Sequence, residues 1–185
     1  KKILFLFTLF IVNLGFSQME KQLLQSYLES NASRFDLKST DISNWKIQST
    51  GTSADETVQY YYLIQQYNDV DIFRALFTAS VKNNAVIYGA NRFVSNVKDK
   101  VNSSTPNLSA VVALQKAYAF LNIVPSQSLE VVQTIDKNHL VISNGLGLEE
   151  NVTATLVYQP IENILKLAWD FTIYTPKYNH LWSVR

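Results

Sequence analysis

A chain of 185 residues with 47% hydrophobic content is long enough for one ordinary domain or two small ones with a real core. Its 16 basic and 15 acidic residues nearly balance, which argues against the concentrated basic face of a nucleic-acid binder. With no cysteine, a disulfide framework, a thiolate metal site and a cysteine nucleophile are all excluded.

The chain opens on Lys1-Lys2, then an uncharged run from Ile3 to Phe16, with Gly15 and Ser17 as the small residues before a cleavage point at Gln18. That is the charged, apolar and small-residue order of a secretory signal peptide over residues 1–17. At roughly 14 residues the run falls short of the ~20 that span a bilayer. The expectation is a secreted, extracellular bacterial protein with no stable membrane span after signal cleavage. Without the two leader lysines the net charge is about −1.

From Met19 to Phe35 the spacing of Leu23, Leu24, Tyr27, Leu28, Ala32 and Phe35 predicts one apolar stripe on a helix, with Glu20, Lys21, Gln25 and Glu29 facing water. Lys38 to Asp55 is rich in Ser, Thr and Asp, and Trp45 to Gln48 reads as a short strand within it. Tyr60 to Val94 forms the central block of three strands, with turns at Asn68-Asp69 and Asn83-Asn84, residue types that tolerate left-handed backbone. Its tyrosine-rich first strand is apolar on both faces and reads as a central strand, its rings packing rather than serving a ligand. In the second strand Ala75, Phe77, Ala79 and Val81 alternate with Leu76, Thr78, Ser80 and Lys82, the mark of a half-buried strand.

The polar stretch Lys98 to Pro106 is read as the connection between subdomains at 18–97 and 98–185. Ser109 is placed as a helix N-cap, followed by the stripe Leu114, Ala117, Tyr118 and Leu121, with the helix ending before Pro125. Short strands follow at Leu129 to Ile135 and Leu140 to Ser143, then a turn at Asn144-Gly145-Leu146-Gly147 that lacks the third glycine of a dinucleotide loop. Leu165, Leu167, Trp169, Phe171 and Ile173 share one strand face, and Trp169 and Phe171 are expected to be buried. This strand is expected to pair with Thr153 to Gln159 across a turn at Pro160 to Asn163. Trp182 and Val184 begin a further strand, and a stop at Arg185 within it gives the expectation of a fragment cut at its C-terminal end, just as a start at Lys1 rather than Met gives that of a trimmed N-terminus. The fold expected is α+β, with curved antiparallel sheets each preceded by a packing helix.

Reaction chemistry is hard to find. His139 and His180 belong to no H-E-x-x-H pair, and no G-x-S-x-G elbow is present. Glu149-Glu150 and Asp69/Asp71 are the paired carboxylates, and both read as solvated turn acids. Sequons at Asn31, Asn102, Asn107 and Asn151 read as accidents of an Asn- and Ser-rich composition. No catalytic, cofactor-binding or metal-binding residue is assigned. The residues alone describe a secreted α+β binding module.

Three segments carry a family resemblance. Gln65-Gln66-Tyr67-Asn68-Asp69-Val70, Ile72-Phe73 and Val86-Ile87-Tyr88-Gly89 resemble the fungalysin/thermolysin propeptide motif, with Asp69 where the motif usually has glycine. Asn102 to Asn122 looks like the helix opening a PepSY-like region. Leu156 to Pro160, Leu165 to Asp170 and His180 to Arg185 are similar to the end of the pro-region in bacterial fungalysin-type zinc metallopeptidases. The resemblance implies a PepSY/cystatin-like fold and a zymogen pro-region, an inhibitor and intramolecular chaperone of a cognate catalytic domain that would lie beyond Arg185. It implies no cofactor in this stretch, with zinc held in that absent domain. The alternative is a free-standing secreted PepSY-like regulatory module without any attached peptidase.

Overall fold

The computed structural model describes residues 18–174 and 181–185, so the signal-peptide reading of residues 1–17 and the position of His180 lie outside the described residues. Helix α1 covers residues 18–31. It is followed by two 3-10 turns, Ser33–Phe35, which Asp36 ends in the left-handed region, and Ser39–Asp41. Then come β1 (Trp45–Thr52), β2 (Gln59–Tyr67), β3 (Val70–Lys82), β4 (Ala85–Asn91), α2 (Val97–Lys100), α3 (Ala110–Phe120), β5 (Val131–Asp136), β6 (His139–Ile142), β7 (Val152–Ile161), β8 (Ile164–Tyr174) and β9 (Leu181–Val184). The chain divides into two compact units, the first holding residues up to Gln66 with Arg74–Lys98, the second Tyr67–Phe73 with Asp99–Arg185.

In the first unit, the α1 stripe behaves as its spacing requires. Leu24 and Leu28 are fully buried with Trp45, Leu63, Phe77 and Phe93, while Leu23, Tyr27, Ala32 and Phe35 pack around them. Phe77 is the hub, its ring 6.1 Å from Tyr27, 5.7 Å from Phe35 and 6.0 Å from Phe93 in tilted or edge-on contacts that aromatic quadrupoles favour. Gly89 is required by this crowding, since a Cβ there would stand 2.7 Å from the Tyr27 ring and 2.8 Å from Phe77. Trp45 satisfies its buried indole by donating to Gln25 Oε1 at 2.6 Å. Strand β1 runs on to Thr52, beyond the expected Gln48, because β2 offers a partner as far as Gln59.

A polar clamp fixes the end of this unit. The Asp41 carboxylate, only 2% exposed, accepts the backbone amides of Lys38, Asn96 and Val97, each at 2.9 Å. Beside it the buried Gln65 amide donates to the carbonyls of Asp41 and Val94 and accepts from the Val94 amide. Buried polar groups are tolerable only when satisfied in this way.

In the second unit β7 is the organising strand. It pairs antiparallel with β8 from Thr153 to Ile161, antiparallel with β6 over Val152 to Thr155, and parallel with β3 at Val157 and Tyr158. Leu156, Val157 and Tyr158 are accordingly buried in succession, as in a strand covered on both faces. Ser109 caps α3 by accepting from the Val112 amide, and Leu114, Ala117 and Tyr118 are buried. The Tyr118 hydroxyl donates to the Asn144 carbonyl at 2.8 Å, and burial pushes its phenol up to about 12. Asn144 in turn closes its loop, donating to the carbonyls of Leu148 and Glu150 and accepting the amides of Leu146 and Leu148. Gly145 and Gly147 take positive φ in that turn.

The architecture corrects the expected fold class. The chain is α+β, but its strands do not form separate curved antiparallel sheets of the PepSY/cystatin-like kind. They join in one mixed nine-stranded sheet whose main path, β1-β2-β3-β7-β6-β5, has two ends and does not close. The parallel register Asp71↔Val157 and Ile72↔Tyr158 makes the sheet mixed. Reading the sequence for hairpins joins only strands linked by local turns, and a parallel pair leaves no turn residues behind. A smaller correction concerns the β7–β8 hairpin. Its loop is Glu162-Asn163, and Pro160 lies within β7 opposite Leu165. Proline is tolerated there because β6 and β3 pair with β7 no further than Tyr158, leaving β8 as its partner among the described residues.

Both expected tight turns have the left-handed residues of a primed hairpin, with φ of 50° and 64° at Asn68-Asp69 and 49° and 57° at Asn83-Asn84. Asp69 therefore occupies a glycine-compatible position, exposed, with its carboxylate 3.6 Å from Lys137. We expect Asp69→Gly to change unfolding free energy by less than about 1 kcal/mol, and Asp69→Val to cost about 1–2 kcal/mol through left-handed strain. Urea melts of the two variants check this, and equal losses would show that side-chain contacts matter more than φ.

Strand β3 changes phase midway. Val70 and Ile72 are buried, then Ala75, Phe77, Ala79 and Val81, a shift from even to odd positions. The shift falls at Arg74, which takes φ 60°, and a left-handed residue inside a strand resets the alternation as a bulge does. It is also where the two units divide.

Candidate functional site

In the second unit an open groove of about 660 Å³ runs along α3 and β8. Such a volume suits a side-chain cluster or a small ligand. Its floor is Trp169, 8% exposed, with Phe171 and Ala117 beside it. The Trp169 indole donates to the Leu108 carbonyl at 3.0 Å, so its polar tip is already engaged and the ring offers apolar surface. Phe120 stands on the rim at the end of α3, 80% exposed, an unusual state for a phenylalanine. α3 sets this arrangement. Its Leu114–Ala117–Tyr118 face is buried, and Phe120, off that stripe, is left at the mouth.

Charge in the groove has one sign. Lys116, Lys166 and Arg185 line it, with no Asp, Glu or His side chain among the described residues. Arg185 is neutralised by Asp170, with Nε 3.0 Å from Oδ1, and its guanidinium lies over the Phe73 ring at 3.5 Å. Burial pushes the Asp170 carboxyl up, opposed by the Arg185 charge and the Ser183 hydroxyl.

The residues considered in the sequence do not converge. His139 opens β6 and its Nδ1 lies 2.7 Å from Asp136, whose carboxyl is held below its usual range, first by the Asn138 amide and then by His139. Glu149 and Glu150 are exposed in the loop before β7, and Asp69 is an exposed turn residue. Asp71 is not in a turn, as its neighbour is, but is the second residue of β3, in register with Val157. Among the sequons, Asn31 donates to the Tyr27 carbonyl and Asn102 accepts the Leu167 amide, while Asn107 and Asn151 are exposed. Among the described residues no group of three or more His, Cys, Asp or Glu side chains could hold a metal ion. No described helix is long and apolar enough to cross a membrane.

Sequence reasoning missed the groove. Its available signal was Phe120, a large aromatic one position off the α3 stripe. A second unassigned surface is β5, exposed along its whole length, with Val131, Val132 and Ile135 open to solvent and β6 its strand partner among the described residues. Exposed apolar edges promote sheet-to-sheet association. Ile135→Lys is expected to lower self-association in light scattering while shifting stability by no more than about 0.5 kcal/mol. A larger loss of stability would show that Ile135 is packed in solution.

No protein-family model matches this chain, and no curated protein matches it.

Proposed function

We propose that this chain is a protein-binding module that works through surface rather than reaction chemistry, and within that class the pro-region of a secreted bacterial zinc metallopeptidase. The observation that supports the binding reading is the groove over Trp169, open and largely apolar, with no Asp, Glu or His side chain lining it among the described residues. The resemblance of Gln65 to Val70, Val86 to Gly89 and Leu165 to Asp170 to pro-region motifs supplies the narrower reading. In the fold these residues have packing duties. Gln65 belongs to the clamp, Tyr67 meets Tyr158 edge-on at 6.0 Å, Val70 is buried and Gly89 admits the Tyr27 and Phe77 rings.

A pro-region needs no catalytic group of its own. By binding the native or near-native catalytic domain and not its unfolded chain, it shifts folding toward the bound state by mass action. The same contact holds the peptidase inactive until cleavage. The zinc belongs to the catalytic domain.

The reading frame beyond Arg185 gives the first test, where an in-frame H-E-x-x-H supports a pro-region and an immediate stop supports a free-standing regulatory module. The biochemical test adds this chain, with and without the residues that follow it, to the mature peptidase. Slower hydrolysis and higher refolding yield are expected. If neither changes with the junction residues present, the pro-region reading fails.

A further inference from the structure

We infer that the groove along α3 and β8 docks an acidic segment of a partner protein, anchored by an aliphatic or aromatic side chain placed over Trp169. This rests on the reading of the groove as a recognition surface, and not on the identity of the partner as a peptidase.

Charge complementarity specifies the ligand. Among the described residues, three cationic side chains and no Asp or Glu line the groove. Arg185 is committed to Asp170 and Phe73, which leaves Lys116 and Lys166 with no ion-pair partner among the described residues. Two exposed lysines flanking an apolar floor repel a basic partner and draw an acidic one, acting mainly on encounter and specificity. The floor demands an apolar group, because the Trp169 N–H already serves the Leu108 carbonyl and cannot donate to a ligand. Phe120 on the rim supplies a further apolar contact, and aromatic side chains of this kind are common anchors of protein interfaces. The groove is open along its length rather than a closed tunnel, which suits a peptide side chain with its backbone outside better than an alkyl chain that must be enclosed.

Panning a displayed random dodecapeptide library against the whole chain tests this. Enrichment of sequences pairing Leu, Ile, Phe or Trp with Asp or Glu is expected. A synthetic peptide of the most enriched sequence should bind more weakly as salt rises. It should lose at least tenfold in affinity with the Lys116→Glu/Lys166→Glu double variant, whose melting curve should match the parent because both side chains are exposed. If that variant folds poorly, Lys116→Gln/Lys166→Gln is read instead, with at least a threefold loss expected. Enrichment of basic or uncharged peptides, no enrichment, or undiminished binding to the lysine variants overturns the proposal. So does displacement of the peptide by laurate at lower concentration than by the unlabelled peptide, which would mark a fatty-acid site. Loss of a dimer in the lysine variants without peptide binding would mark a self-association surface and also overturns it. Failure here with inhibition of the peptidase intact would leave the pro-region reading standing on another surface, and the reverse outcome would leave the groove's ligand chemistry standing without a peptidase.

Discussion

Asp41→Ala is expected to lower the stability of the chain by about 3–5 kcal/mol in urea unfolding, the range for removing one side of a buried, charge-assisted network. The carboxylate accepts the amides of Lys38, Asn96 and Val97 from a site almost closed to water. Truncation leaves three amides without an acceptor, that of Val97 buried and those of Lys38 and Asn96 part-buried, and each unmade bond exposes a desolvation cost that the folded state had offset. Asp41→Asn keeps the shape and one acceptor oxygen but turns an amide toward donors, so a loss of about 2 kcal/mol is expected. The Gln65 amide leans on the Asp41 carbonyl, so the segment from Val94 to Val97 should loosen first and its amides should exchange faster. A loss below 1 kcal/mol for the alanine variant would show that water enters and replaces the carboxylate.

Trp169→Ala is expected to cost about 3–5 kcal/mol, the usual range for deleting a core aromatic. The ring is 8% exposed and its indole donates to the Leu108 carbonyl, so truncation both opens a void and strands an acceptor. Trp169→Phe retains much of the apolar surface and loses the donor, so about 1–2 kcal/mol is expected. Denaturant melts of both variants separate packing from hydrogen bonding. A loss under 1 kcal/mol for Trp169→Ala would mean that the strand's apolar face is solvated.

Local chemistry was the legible part of the fold. Ser109 and the Leu114–Tyr118 spacing defined α3, the Asn-Asp and Asn-Asn pairs marked turns whose left-handed backbone they tolerate, and the alternation through Trp169 and Phe171 identified the buried face of β8. What stayed hidden depends on residues distant in sequence. Asp41 and Gln65 look like surface polar residues until backbone atoms from Val94 to Val97 are brought to them. The β3–β7 pair has no connecting turn to announce it. The groove exists because α3 lies along β8, and no property of Lys116, Lys166 or Phe120 taken singly reveals that they meet.

The left-handed Arg74 absorbs one extra residue between Ile72 and Ala75. Without it, Val70, Ile72, Ala75, Phe77, Ala79 and Val81 would stand at an unbroken two-residue spacing on one face of a regular strand. A one-residue insertion between Ala75 and Val81, with no left-handed residue to absorb it, would instead turn the residues beyond it out of their core. Sequences that diverge from this one should therefore lose a residue at Phe73-Arg74 more readily than they change length between Ala75 and Val81.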